Sequence, residues 1–208
     1  MKTDEMNLRR DIIGQCRRMN AIGINQGTSG NISARFGERM LITPSAVPYD
    51  EMTPEMIASM SIEGDYGAWD GPLEPSSEWR FHLDLTRARP DLGAIVHTHA
   101  IYCTTLAIAR RPIPAVHYMI AAFGGTCIRC ADYATFGSVA LSRAVLAAMQ
   151  GRDACLMANH GMIAAGPDLD RARSRWKRHS LEGAIGPSQA PWSPSINIEA
   201  IISGSISS

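Results

Sequence analysis

The chain carries no excess charge of either sign: twenty lysines and arginines meet twenty aspartates and glutamates, for a net charge of +0 with histidine neutral. A balanced surface steers toward neither nucleic-acid phosphates nor an anionic membrane face, so neither partner is expected. No apolar run approaches the roughly 18 residues of a membrane span. Residues 1–10 are polar and charged, without the apolar centre of a signal peptide, so a cytoplasmic location is expected. Cysteine is scarce and irregular: five residues, an odd number, follow no regular spacing and read as reduced thiols. Cys127-Ile128-Arg129-Cys130 has the spacing of half a metal site, but no second pair matches it. There is no internal repeat, and no nucleophile elbow supports a Ser-His-Asp reading. What remains is a chain of 208 residues, 45% apolar and 19% charged, long enough for one domain with its own core.

Met6, Ile12, Ile13, Cys16, Met19 and Ile22 recur at helical spacing and stop at Gly23, which predicts an amphipathic first helix. Residues 31–36 and 40–43 read as short strands around a turn at Gly37. Residues 53–60 read as a short helix opening at Pro54, and residues 65–72 are turn-rich. Residues 76–89 read as a helix with a serine cap, ended before Pro90. Residues 94–99 form a strand, followed by a helix to Arg110. Residues 115–122 are strand-like and break at Gly124-Gly125, residues 137–150 are helical, and strands 154–158 and 162–165 flank His160. Helices and strands interleave with short loops, the pattern of an α/β layered domain. Beyond it, Arg171, Arg173, Arg175, Lys177 and Arg178 form a basic cluster. Gly-, Pro- and Ser-rich sequence follows without helical periodicity, so this tail is expected to pack poorly.

Three separated segments can build one metal site. His97 and His99 lie two apart at a predicted strand end, so both imidazoles face the same way. His160 sits in the corner Asn159-His160-Gly161, and Glu78 follows Ser76-Ser77. Two histidines on one strand are more often polar-face residues, and a single histidine is more often structural; His82 and His117 are read that way. Together with Glu78, the three make the donor set of a catalytic zinc site. Neutral imidazoles would leave zinc its full charge and its Lewis acidity.

The loop Gly27-Thr28-Ser29-Gly30-Asn31 on its own is a turn, because Ser29 and Asn31 can bond their own backbone. A second polar pair, Ser76-Ser77 at a predicted helix start, favours a phosphate reading: free N–H groups and the helix dipole attract anions there. A divalent metal beside a phosphate pocket points to an enzyme acting on a small phosphorylated molecule.

These stretches together resemble the class II aldolase/epimerase family. The resemblance is carried by Asn25-Gln26-Gly27-Thr28-Ser29-Gly30-Asn31, Leu41-Ile42-Thr43-Pro44, Pro75-Ser76-Ser77-Glu78-Trp79-Arg80-Phe81-His82, His97-Thr98-His99, Pro112-Ile113-Pro114-Ala115-Val116-His117-Tyr118-Met119, Tyr133-Ala134-Thr135-Phe136-Gly137 and Asn159-His160-Gly161. It runs from about residue 6 to about residue 173, with the motifs in order. It implies a three-layer domain, a central mostly antiparallel sheet flanked by helices, assembled as a homotetramer with active sites between subunits. It implies zinc held by His97, His99 and His160, with Glu78 as fourth ligand when substrate is absent. Phosphate would be held by Thr28, Gly30, Asn31, Ser45, Ser76 and Ser77. Tyr118 would be offered to the substrate aldehyde by the neighbouring subunit.

The activity implied is reversible cleavage of a ketose 1-phosphate, such as L-fuculose 1-phosphate, into dihydroxyacetone phosphate and an aldehyde. Glu78 would move the proton at the reacting carbon and Tyr118 the proton at the aldehyde oxygen. The motif stretches contain no lysine, and none is needed for a Schiff base. Epimerase relatives usually carry aspartate at the Glu78 position, which argues against them. Aldolases for 5-deoxyribulose or methylthioribulose 1-phosphate share these residues, and methylthioribulose-1-phosphate dehydratase shares the zinc and the glutamate. The family usually has glycine where this chain has Ala46, whose methyl group would crowd the phosphate. Its pattern also continues where this one stops: residues 1–173 form the catalytic domain and residues 174–208 an atypical tail, with no tyrosine after Tyr133. A scaffold disabled by that tail is the non-enzyme alternative.

Overall fold

The apolar stripe of the first helix decides where the chain begins to pack. In the computed structural model, which describes residues 2–172, α1 (Lys2–Ala21) buries Ile12, Ile13, Cys16 and Met19 against the sheet. It ends as expected, with Gly23 at a φ of 75° that favours glycine.

Eight strands follow: β1 (Asn31–Phe36), β2 (Arg39–Ile42), β3 (Ala58–Ser61), β4 (Trp69–Asp70), β5 (Ala94–Thr98), β6 (Arg129–Ala131), β7 (Ala154–Met157) and β8 (Gly161–Gly166). They form one sheet in the order β4-β3-β2-β1-β5-β8-β7-β6, antiparallel except for the β6–β7 pair. The helices α2 (Trp79–Ala88), α3 (Ile101–Ile108) and α4 (Val139–Ala148) complete it.

Period-two alternation divides the central strands between two cores. Ala94 and Val96 of β5 join α1 and Cys103 of α3 on one face, while Ile95 joins Phe81 and Leu85 of α2 and Leu141 and Val145 of α4 on the other. The three layers are therefore α1 and α3, the sheet, and α2 and α4. Both faces of β5 and β8 are covered, and every residue of these two strands is buried. Truncating Ile163 or Ile95 to alanine there would cost about 2–5 kcal/mol through transfer and cavity terms.

Three expectations need correction. Residues 53–60 are not a helix: a single 3-10 turn, Pro54–Met56, leads into β3, whose Ala58 and Met60 bury against Met40 and Ile42. Residues 115–122 are not a strand but enter a 3-10 helix, Tyr118–Phe123, closed by Gly124 at φ 89°. The only inward apolar anchors there, Ile120 and Phe123, are three apart, a helical and not a strand spacing. Finally, α2 begins later than expected. Glu78 and not a serine occupies its N-cap, with no side-chain cap bond, and the Ser76 hydroxyl instead accepts from the Glu78 N–H at 3.3 Å. The expected tail, residues 174–208, lies outside the described residues. No described helix is long and apolar enough to cross a membrane.

Candidate metal and phosphate site

The middle of the sheet places the histidines. His97 is the fourth residue of β5, opposite Asn31 of β1 on one side and Ile163 of β8 on the other. It is fully buried, and its Nδ1 donates to the Met162 carbonyl at 2.9 Å, which leaves the Nε2 lone pair free to face inward. His99 lies just past the strand, its N–H donating to Asn25 Oδ1 at 3.3 Å. His160 is carried by the three-residue turn between β7 and β8, where Asn159 takes a φ of 56° and its N–H donates to the Ala107 carbonyl at 2.9 Å. Gly161 is required beside it: a Cβ there would meet the Thr98 carbonyl at 2.8 Å and the His99 ring at 2.9 Å.

The donors converge. One nitrogen of each of His97, His99 and His160 lies within 4.8 Å of the others, and Nε2 of His97 is 3.0 Å from Nε2 of His99. Glu78 Oε2 stands 3.2 Å from His97 Nε2, and Oε1 stands 3.2 Å from His160 Nε2. Ligands on a tetrahedral zinc would be about 3.3 Å apart, given bonds of about 2.0–2.1 Å. Glu78 is 5% exposed, yet its Oε1 makes no hydrogen bond. A buried acceptor without a donor, among three imidazoles whose lone pairs point together, is the arrangement a bound cation satisfies.

Electrostatics agrees. Burial lowers His97 to about 4; burial and then the neighbouring His97 lower His99 and His160 to about 4. All three imidazoles are neutral at pH 7, the form in which a ring nitrogen can bind a metal. Glu78 is pushed the other way, above the ordinary carboxylate value, first by burial and against the opposing pull of His160, Asn31 and His99. A carboxyl raised toward neutrality suits proton transfer.

A polar cavity opens beside the same side chains. A cavity of about 400 Å³ is lined by all six expected residues, Thr28, Gly30, Asn31, Ser45, Ser76 and Ser77, and also by Glu78, His99 and His160. Backbone pairing brings two of the segments together: Ser45 N–H donates to the Glu74 carbonyl at 3.0 Å and Ser76 N–H to the Thr43 carbonyl at 2.9 Å. Gly30 must be glycine, because a Cβ would meet the His97 carbonyl at 2.7 Å. Ala46, on the cavity wall, adopts a φ of 58°, the left-handed region where glycine is at ease.

Tyr118 is not brought to this cavity. It is 81% exposed and absent from the lining. Several residues that matter to the site carried no assigned role in the sequence. Tyr133, Phe136 and Asn159 line the cavity. Buried Asn25 bonds the His99 N–H and the Tyr49 hydroxyl, and that hydroxyl donates to the Gly30 carbonyl at 2.5 Å, tying the loop of Gly30 to the end of β5. Asn25 opens the motif that ends at Asn31; Tyr49 has no local signal, because its partner is nineteen residues away.

With this geometry in view, comparison with known proteins is informative. The profile of the class II aldolase and adducin N-terminal domain matches residues 10–178. A 5-methylthioribulose-1-phosphate/5-deoxyribulose-1-phosphate aldolase of Rhodospirillum rubrum is 51% identical over 172 residues, covering 83% of this chain and 76% of that protein. An L-fuculose phosphate aldolase of Escherichia coli K12 is 47% identical over 175 residues, covering 84% and 79%. Among solved structures, an L-fuculose 1-phosphate aldolase superposes with a TM-score of 0.82 at 33% identity, covering 95% of each chain.

Proposed function

The chain belongs to the class II aldolase and adducin N-terminal domain family, and from that premise we propose reversible cleavage of a ketose 1-phosphate into dihydroxyacetone phosphate and an aldehyde. It is a metal-dependent class II aldolase, a carbon–carbon lyase of sugar-phosphate metabolism. The observation that carries the site assignment is the orphaned Glu78 Oε1 among three converging imidazoles, on the floor of a cavity lined by serines, threonine and loop backbone.

The metal is proposed to be zinc, held by His97, His99 and His160, with Glu78 as a fourth ligand in the absence of substrate. When bound it supplies Lewis acidity, drawing the negative charge of carbon–carbon cleavage onto oxygen. The phosphate sits among Thr28, Gly30, Asn31, Ser45, Ser76 and Ser77, which fixes the substrate by its unreactive end. Orientation of this kind is worth several kcal/mol of barrier. Glu78 then takes or returns the proton at the reacting carbon. Burial disfavours its charged form, which suits a group that must hold a proton for part of the reaction.

Tyr118 is proposed to act from the neighbouring subunit of a homotetramer, exchanging a proton with the aldehyde oxygen. Its exposure supports that reading, as does the exposure of Ile101, Tyr102 and Val116, apolar surface that a subunit contact would cover. Mixed oligomers of Tyr118→Phe and Glu78→Gln chains should recover activity that neither parent has. The absence of recovery would return Tyr118 to a structural role. The five cysteines are free, in keeping with a proposed place in the cytoplasm.

For the aldehyde half, L-fuculose 1-phosphate is the first candidate. The 51% identity to the Rhodospirillum rubrum enzyme favours 5-deoxyribulose or methylthioribulose 1-phosphate as the second. Product analysis on a panel of these ketose phosphates tests the whole reading. Dihydroxyacetone phosphate should appear. Loss of water without cleavage would make the protein a dehydratase, and neither product together with no bound metal would favour a scaffold.

A further inference from the structure

Behind the metal site lies a file of four buried polar side chains. Asn31 and Ser33 are two apart on β1 and so share a face; Glu78 and His82 are four apart at the start of α2 and share a helical face. The two faces meet. Ser33 Oγ is 2.8 Å from His82 Nδ1, His82 Nε2 is 2.6 Å from Asn31 Oδ1, and Asn31 Nδ2 donates to Glu78 Oε2 at 2.9 Å. None of the four is more than 5% exposed, so their directions are set largely by one another. Nothing in the reaction described above uses His82.

The file has one satisfied direction when Glu78 is ionised. A carboxylate only accepts, so the Asn31 amide must turn its NH2 toward Oε2 and its oxygen toward His82. His82 Nε2 must then carry the hydrogen. Burial, and next the nearby His97, hold this imidazole well below its usual pKa, so it is neutral and has only one N–H. Its Nδ1 is therefore an acceptor, filled by the Ser33 hydroxyl. Every group in the file makes the bond it can make. The reversed file would require a proton on Oε2, and any mixed arrangement sets two lone pairs or two hydrogens against each other. Glu78 Oε1 stays outside the file and without a hydrogen bond.

We propose that His82 is a positioning residue: through Asn31 it anchors Glu78 by Oε2 and leaves Oε1 as the single oxygen that carries the substrate proton. This rests on the reading of Glu78 as the acid/base. Its gain is orientation, since a base tethered by one oxygen presents the other in a fixed direction. His82 thus does for the carboxylate what the Met162 carbonyl does for His97.

Two measurements on the full, metal-loaded chain decide it. In protein labelled with nitrogen-15 histidine, the His82 signals, identified by their loss in His82→Gln, should report hydrogen on Nε2 and a bare Nδ1. His82→Phe, which keeps the ring and removes the donor, should lower kcat by about 10-fold or more with KM changed by less than about 3-fold and metal content unchanged. His82→Gln, which can still donate to Asn31, should recover part of that loss. Hydrogen on Nδ1 in the wild type, a normal kcat in His82→Phe, or a loss wholly in KM would each overturn the proposal. If His82→Phe does not fold, Ser33→Ala replaces it: the Nε2 preference should weaken and kcat fall several-fold, and an unchanged tautomer and kcat would count against the file. Should the wild type cleave no ketose 1-phosphate, the aldolase reading fails, and the tautomer still tests the file by itself.

Discussion

At one end of the site, His97 lies on β5, His99 just past it and His160 in the turn between β7 and β8, beside the most buried strands of the sheet. At the other end, Thr28, Gly30, Ser45 and Ser76-Ser77 belong to loops and to the approach of α2. The proposed metal end uses side chains of a specific chemistry, two of them held by a second bond, His97 by the Met162 carbonyl and Glu78 by Asn31, while Asn25 accepts from the His99 backbone N–H. The phosphate end uses conformation, with Gly27 at φ 58°, Gly30 packed without room for a Cβ, and Ala46 at φ 58°. A rigid end can fix charge and proton positions to a fraction of an ångström. A loop end trades that for backbone N–H groups that embrace an anion. Substitutions at the first end should therefore break chemistry, and those at the second should adjust binding.

The largest effect should come from the metal end. His97→Ala removes the fully buried member of the three proposed metal ligands. Metal and activity should both be lost, as elemental analysis and a turnover assay would report. Full metal occupancy in that variant would remove His97 from the ligand set and blur the contrast between the two ends.

Glu78→Gln should come next. The shape and the Asn31 bond survive, so metal and phosphate binding should persist while turnover falls by roughly 10²-fold or more. The raised pKa adds a sign. A group whose charged form is disfavoured by burial stabilises the fold while protonated, and that contribution is lost as pH rises through its folded pKa. At pH 7 the metal-free Glu78→Gln variant should thus melt at or above the wild-type temperature. A lower melting temperature together with normal turnover would show that Glu78 is a structural carboxylate.

A smaller, graded effect is expected from pH. In metal-free protein, His97, His99 and His160 sit at about 4 against a usual value of 6.5. Their folded pKa is depressed, so the stability they allow is whole above 6.5 and declines as pH falls from 6.5 toward 4, where the unfolded chain takes protons that the folded one refuses. The melting temperature of chelator-treated protein should drop across that window. Loaded protein should resist until protons displace the metal. His97→Ala should flatten the decline in part, and substitutions at the phosphate end should not touch it.

How far the sequence alone revealed these ends follows the same division. His97 and His99 were readable because a two-residue spacing after an apolar run has one geometric meaning, and Ser33–Asn31 and Glu78–His82 obey equally local rules. The strands around His160 were readable from their apolar runs. Spacing alone makes His82 structural, because its partners lie forty-nine and fifty-one residues away and spacing cannot show them. Tyr49 was silent for the same reason. The two segments that differ, 53–60 and 115–122, are short stretches whose apolar positions do not fix a single period, and packing chooses between helix and strand. Ala46 was noticed only through resemblance; that its backbone is left-handed is a fact of conformation which no side-chain pattern carries.

That residue supplies the smallest and most discriminating test. A non-glycine residue in the left-handed region costs about 1–2 kcal/mol locally, while replacing alanine by glycine forfeits about 0.4–1 kcal/mol through the freer unfolded chain. The two nearly offset, so Ala46→Gly should shift stability by no more than about 1 kcal/mol, in the stabilising direction. Its effect should appear instead in binding. Ala46 lines the cavity beside Ser45, and removing the methyl group gives the phosphate room against the backbone. KM for the ketose phosphate and the inhibition constant of inorganic phosphate should both fall several-fold, with kcat unchanged. That pattern is the signature of uniform binding, the same contact in ground and transition states. If kcat moved with KM, the phosphate end would be shaping the chemistry as well as holding its handle. The separation between a rigid end that reacts and a conformational end that grips would then be wrong.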